Sequence, residues 1–225
     1  MYISYWGIVL VVLALGLLTQ GLVNSAFRSQ SKVALAGGRS GAEVARAMLD
    51  ANGLHQVAVE QVAGNLTDHY DPRAKVLRLS PQVFGGRTVA AAGVAAHEAG
   101  HAAQHAQGFA AARIRQSLVP AAQIGSQLSF PLIFIGLWIQ LSGLVLVGVV
   151  MYAAAVLFQV VTLPVEFDAS RRALGALQSG QAGIVLPSDQ LAGARRVLTA
   201  AALTYLASTL IAVMYLLYFI GLSRR

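Results

Sequence analysis

Hydrophobic residues in this chain fall into long runs without charge, and the polar residues are gathered between them. No Asp, Glu, Lys or Arg precedes Arg28, none lies between Arg115 and Glu166, and none between Arg196 and Arg224. A bilayer core takes about 20 helical residues per crossing, so each run predicts membrane-spanning helix. Trp6 to Val23 makes one crossing, and Val197 to Leu222 is long enough for another with some tilt. The middle run holds two, with a hairpin turn at Gln140-Leu141-Ser142-Gly143. Four transmembrane helices are therefore expected. Pro120 and Pro131 should bend the second, and Pro164 should end the third by removing a backbone donor. The uncharged Gln123, Gln127, Gln140 and Gln159 read as interhelical hydrogen-bonding residues.

The polar stretches carry shorter patterns. Ser40-Gly41-Ala42-Glu43 has the form of a capping box, and Ala42, Ala45, Met48 and Leu49 follow at helical spacing, which predicts a helix over 41–51 stopped by Asn52-Gly53. Residues 56–62 alternate as a strand, residues 65–70 suggest a second short one, and residues 75–80 a third after the turn Asp71-Pro72-Arg73-Ala74. These predict a small antiparallel sheet. A helix rich in alanine and glycine should then run from Thr88 to about Gln107, its small side chains suited to close approach of another helix. The chain divides into residues 1–23 (first span), 24–115 (polar region), 116–165 (membrane hairpin), 166–196 (connector) and 197–225 (last span and tail).

Composition sharpens this picture. Of 225 residues, 56% are hydrophobic and 11% charged, too sparse a charge for an ordinary water-soluble domain. The first span has no basic residue ahead of its apolar run and no clear small-x-small site, so it reads as an anchor rather than a cleaved leader. The absence of cysteine excludes disulfides and thiolate metal sites, leaving nitrogen and oxygen as the only metal ligands. The net charge of +7 is dispersed and lacks aromatic interleaving, which argues against nucleic acid and for anionic headgroups. Fourteen of the sixteen Lys and Arg residues lie in 24–115 and 166–196. The positive-inside rule then puts both regions in the cytoplasm of a multi-pass plasma-membrane protein, against which the terminal Arg224-Arg225 argues weakly.

The residues with chemistry centre on His97-Glu98-Ala99-Gly100-His101. At 3.6 residues per turn, His97 and His101 project from one helix face and can share one metal, while Glu98 can reach a metal-bound water. That is zinc peptidase geometry. Two core histidines and a buried glutamate without a metal would find no partners on so small a helix. A catalytic zinc needs a third protein ligand. His105 lies about 12 Å of helix rise from His97 and cannot converge with both histidines, which suits it to a supporting or surface position. His55, His69, Asp68, Asp71, Glu166, Asp168 and Asp189 remain, Glu166 with the advantage that two crossings return it to the membrane face of the metal helix. The pair His69-Tyr70 could hydrogen-bond a developing oxyanion.

The segments 66–72 (Leu-Thr-Asp-His-Tyr-Asp-Pro), 95–105 (from Ala95 to His105) and 166–173 (Glu-Phe-Asp-Ala-Ser-Arg-Arg-Ala) together resemble the YugP-type membrane zinc metallopeptidases and, more distantly, the HtpX and CAAX prenyl protease group. The resemblance covers most of the chain. It implies that His97, His101 and Glu166 bind one Zn2+ per chain while Glu98 activates the water, in a small α+β gluzincin-like layer on a mainly α membrane protein. In the distant group the fourth residue after the ligand glutamate is usually aspartate. Here it is Ser170, which leaves the role of orienting a ligand open and makes Asp168 a candidate substitute. The expected activity is endopeptidase cleavage of a peptide or protein substrate, with the strand 75–80 available to pair with its backbone. Two other readings are a zinc-stabilised scaffold or adaptor that holds membrane-protein partners without turnover, and a helical bundle whose motif is fortuitous.

Overall fold

A computed structural model describes residues 5–223. In chain order they form α1 (Tyr5–Gln30), α2 (Gly41–Ala51), β1 (Ala58–Gln61), β2 (His69–Asp71), β3 (Val76–Leu79), α3 (Pro81–Phe84), α4 (Val89–Ala106), α5 (Ala110–Trp138), α6 (Ser142–Ser179) and α7 (Ser188–Ser223). Four of these, α1, α5, α6 and α7, are long and apolar enough to cross a membrane. Three run past the limits suggested by hydropathy. Helix α1 continues to Gln30, and α6 passes through Pro164 without a break. Loss of hydropathy ends a membrane span but does not end a helix, whose ladder continues until the chain turns out of it; α1 ends in the turn at Ser31-Lys32, where the Lys32 N–H bonds the Ser29 carbonyl instead of one four residues back. Pro164 removes one donor from a helix of 38 residues, too little to stop it. Helix α7 likewise runs unbroken from the polar Ser188-Asp189 into the apolar stretch.

The residues cluster into two compact units. Of the described residues, the first contains 5–19, 110–164 and 203–223. Here α5 and α6 approach at glycines: a β-carbon on Gly125 would lie 2.4 Å from the Met151 carbonyl oxygen, and one on Gly148 2.7 Å from the Ile133 side chain. Without a hydrophobic driving force in lipid, such close backbone packing is a principal source of helix association. Phe130 meets Tyr152 and Phe219 edge to face, with centroids 5.5 and 5.4 Å apart, above the buried Ile133.

The second unit contains residues 20–109 and 165–202. Its α2 is capped as the sequence suggests: Ser40 Oγ accepts from the Glu43 N–H, and Glu43 Oε2 accepts from the Ser40 N–H. Val44, Ala45, Met48 and Leu49 are thereby turned inward. The sheet is mixed, in the order β1-β3-β2, and not wholly antiparallel. The turn at 71–75 makes β2 and β3 an antiparallel hairpin, but β1 lies parallel to β3 on its other edge. Strand β3 is therefore central, its Leu77 and Leu79 are fully buried, and neither of its edges is open to a substrate strand. On the opposite face Arg78 pairs with both Glu60 and Asp71. Helix α4 begins where expected, with Thr88 Oγ1 capping the Ala91 N–H. Its Ala90, Ala92, Ala95 and Ala96 are buried completely, which lets neighbouring backbones lie close to it.

Candidate metal centre

The centre grows from one close approach. A β-carbon on Gly100 would meet the Ala169 carbonyl oxygen at 2.8 Å and its Cα at 3.3 Å, so α6 runs directly over α4 where the latter has no side chain. One turn before Ala169 on α6 is Glu166. His97 and His101, on either side of Gly100, then face it. The Glu166 Oε2 lies 3.3 Å from His97 Nε2 and 3.6 Å from His101 Nε2. One donor atom from each of the three residues can be chosen so that all lie within 4.8 Å of one another. The glutamate is 2% exposed, and the two imidazoles meet edge to face at 4.7 Å.

The donor set fits a zinc ion. Ligand atoms about 2.0 to 2.1 Å from a tetrahedral zinc lie roughly 3.3 Å from one another, close to both spacings seen here. The outer ring nitrogens are occupied as well. His101 Nδ1 lies 3.0 Å from Gln104 Oε1, and His97 Nδ1 lies 3.1 Å from Ser170 Oγ. The amide nitrogen of Gln104 donates to the Val165 carbonyl at 2.8 Å and to Asp168 Oδ2 at 2.9 Å. Two acceptors therefore fix which way the amide faces, its oxygen must accept from His101, and the lone pair of His101 Nε2 is left for the centre. Burial by itself would lower the pKa of His101, but Glu166 beside it, with the charge of Glu98, brings it above the ordinary imidazole value.

The other sequence candidates are distributed around this core. Glu98 is buried on α4 next to His97. Asp168 receives Arg172 Nε at 2.6 Å, Arg171 and Gln104, so it supports His101 through Gln104, while His97 has Ser170. His105 is outside the cluster and lies 3.1 Å from the hydroxyl of Tyr70, joining the end of α4 to β2. Burial raises the Tyr70 pKa above the ordinary phenol value, keeping the hydroxyl protonated at neutral pH. His69 is exposed, with Nδ1 on the Thr67 carbonyl. Asp68 is held by the N–H and hydroxyl of Ser80, Asp71 by Arg78 and its own turn, and His55 by Asp50. Asp189 sits in the first turn of α7. Gln104 escaped the sequence reading although it lies three residues after His101 on one helix face, a spacing that brings two side chains together.

Compared with known proteins, residues 5–224 match the family described as "Putative neutral zinc metallopeptidase". A curated relative from Bacillus subtilis (strain 168), "Putative membrane protease YugP", is 44% identical over 216 residues, covering 95% of this chain and 94% of that protein. No solved structure matches.

Proposed function

Because this chain belongs to that zinc metallopeptidase family, we propose that it is an integral-membrane endopeptidase holding one zinc ion between His97, His101 and Glu166. The observation that carries this reading is the spacing of the three donor atoms, with both outer imidazole nitrogens engaged by Ser170 and Gln104. Bound zinc supplies a Lewis acid that makes a water nucleophilic near neutral pH and polarises the scissile carbonyl. Glu98 takes the proton from the attacking water and returns it to the leaving amine nitrogen, so the same carboxylate serves as base and then as acid. Ser170 and the Asp168-Gln104 pair keep the two histidines in the orientation that directs Nε2 inward. The protonated Tyr70 hydroxyl is the donor for the oxyanion of the tetrahedral intermediate, whereas His69, the preceding residue of β2, is directed to the other face of the strand. Since β3 is closed on both edges, an extended substrate pairs with an outer edge of the sheet instead.

The protein works in the plasma membrane with this centre toward the cytoplasm, the side favoured by the basic residues of 24–115 and 166–196. The decisive experiment compares purified full-length wild type with Glu98→Gln for zinc content and for cleavage of a broad peptide library. Zinc retained and cleavage lost in the variant support the mechanism; equal cleavage overturns it. Zinc in a wild type that cuts nothing would instead favour the scaffold reading.

A further inference from the structure

Behind His97, on the side away from its Nε2, α6 and α7 line an open pocket of about 440 Å³. Phe167, Ser170, Arg171, Leu174, Arg195 and Leu198 are among the residues that line it. The lining carries two guanidinium groups and no carboxylate. Arg171 shares Asp168 with Arg172, and Arg195 has no ion-pair partner among the described residues, so positive charge is left in excess. Both arginines stand at the ends of uncharged runs: Arg171 five residues after the run that closes at Glu166, Arg195 two residues before the run that opens at Val197. That is the level of phospholipid headgroups for helices that cross a bilayer. The apolar wall of Phe167, Leu174 and Leu198 gives the same cavity an oily side. A cationic pocket with an apolar wall at this level is complementary to a phosphate that carries acyl chains.

Two of these residues also lead to the metal ligands. Ser170 contacts His97 Nδ1, and Arg171 holds Asp168, which holds Gln104, which contacts His101 Nδ1. We propose that the pocket binds the headgroup phosphate of an anionic phospholipid between Arg171 and Arg195, and that occupancy steadies the hydrogen bonds orienting both histidines. The second clause rests on the metal centre described above, whereas lipid binding does not.

The test uses full-length protein in detergent, with phosphatidylglycerol or phosphatidylcholine retention read by native mass spectrometry. Wild type should retain phosphatidylglycerol in preference, and Arg195→Gln should lose roughly fivefold in apparent affinity, the weight of one basic residue at an anionic surface. Arg73→Gln, which removes the same charge from the β2–β3 turn, should retain it as wild type does. A second variant fills the cavity without touching the arginines: a β-carbon on Gly175, another lining residue, would meet no atom within 4 Å, so Gly175→Leu has room to fold and should also lose the lipid. Retention unchanged in both variants overturns the site, and displacement of the lipid by inorganic phosphate at equal concentration overturns the lipid assignment in favour of a free-anion site. Zinc release to a chelator, compared between phosphatidylglycerol and phosphatidylcholine bilayers, should be slowed by the anionic lipid roughly tenfold in wild type and not in Gly175→Leu. Equal release rates in the two bilayers would overturn the coupling alone, and a wild type that binds no zinc would leave the lipid result to stand or fall by itself.

Discussion

Gly100 and Ala169 are in close backbone contact, and that contact sets the distance between the two helices that carry the candidate donors His97, His101 and Glu166. Adding a methyl group at position 100 would gain about 1 kcal/mol of helix propensity, but it would strike a carbonyl oxygen that cannot rotate away. Overpacking of this kind costs roughly 1 to 3 kcal/mol, so the clash wins. Gly100→Ala should therefore lose zinc, measured by elemental analysis of the purified protein. Gly93→Ala is the matched control. Its β-carbon would make an ordinary 3.5 Å contact with Ala194, so stability should hold or rise and zinc should stay. Equal zinc in both variants would show that α6 does not depend on Gly100 for its position.

Gln104 accepts from one histidine and donates to Asp168 and Val165 while almost fully buried. Replacing it with leucine removes the acceptor that fixes His101 and leaves the Asp168 carboxylate short of a donor. Zinc affinity in Gln104→Leu should fall roughly 10- to 100-fold, and Ser170→Ala should produce a fall of similar size at His97. Competition with a calibrated chelator measures both, and unaltered affinity would show that packing alone orients the rings.

Tyr70 sits where β2 meets the end of α4, its hydroxyl on His105. With the phenol kept protonated by burial, Tyr70→Phe should lower kcat on the order of 10²-fold while KM and zinc content stay near those of wild type. A variant with normal kcat and only a lower melting temperature would reduce Tyr70 to a structural tie.

The capping box of α2 makes a prediction that is independent of the metal. The N–H and hydroxyl of Ser40 hold the Glu43 carboxyl below its ordinary value of 4.5. A depressed pKa adds stability above the unfolded value, and that part is lost as pH falls through the folded one. Acid unfolding of the full chain should show this loss, starting near pH 4.5 and extending below it. Ser40→Ala should cost about 1 kcal/mol near neutral pH and flatten the acid limb. An acid limb identical in the two proteins would refute the assignment.

Local chemistry in the sequence determined a good deal. Charge-free runs of bilayer length marked the four long helices, because burying charge in hydrocarbon is costly. The Ser40 box and Thr88 cap marked where α2 and α4 begin, since a cap is satisfied within four residues of itself. The spacing of His97 and His101 placed both imidazoles on one helix face for the same reason. Helix ends defined by breakers were harder to see, and Pro164 misled because a long packed helix tolerates one missing donor. Strand partners were harder still: residues 58–61 look alike whether they pair parallel or antiparallel, and only the path of residues 62–68 decided. Tertiary structure alone brought Glu166 to His97 and His101, gave Ser170 to His97 and Asp168 to Gln104, and laid β1 along β3. Each of these joins residues far apart in the chain, and such distances are set by how helices pack, at Gly100 above all, and not by any pattern along one of them.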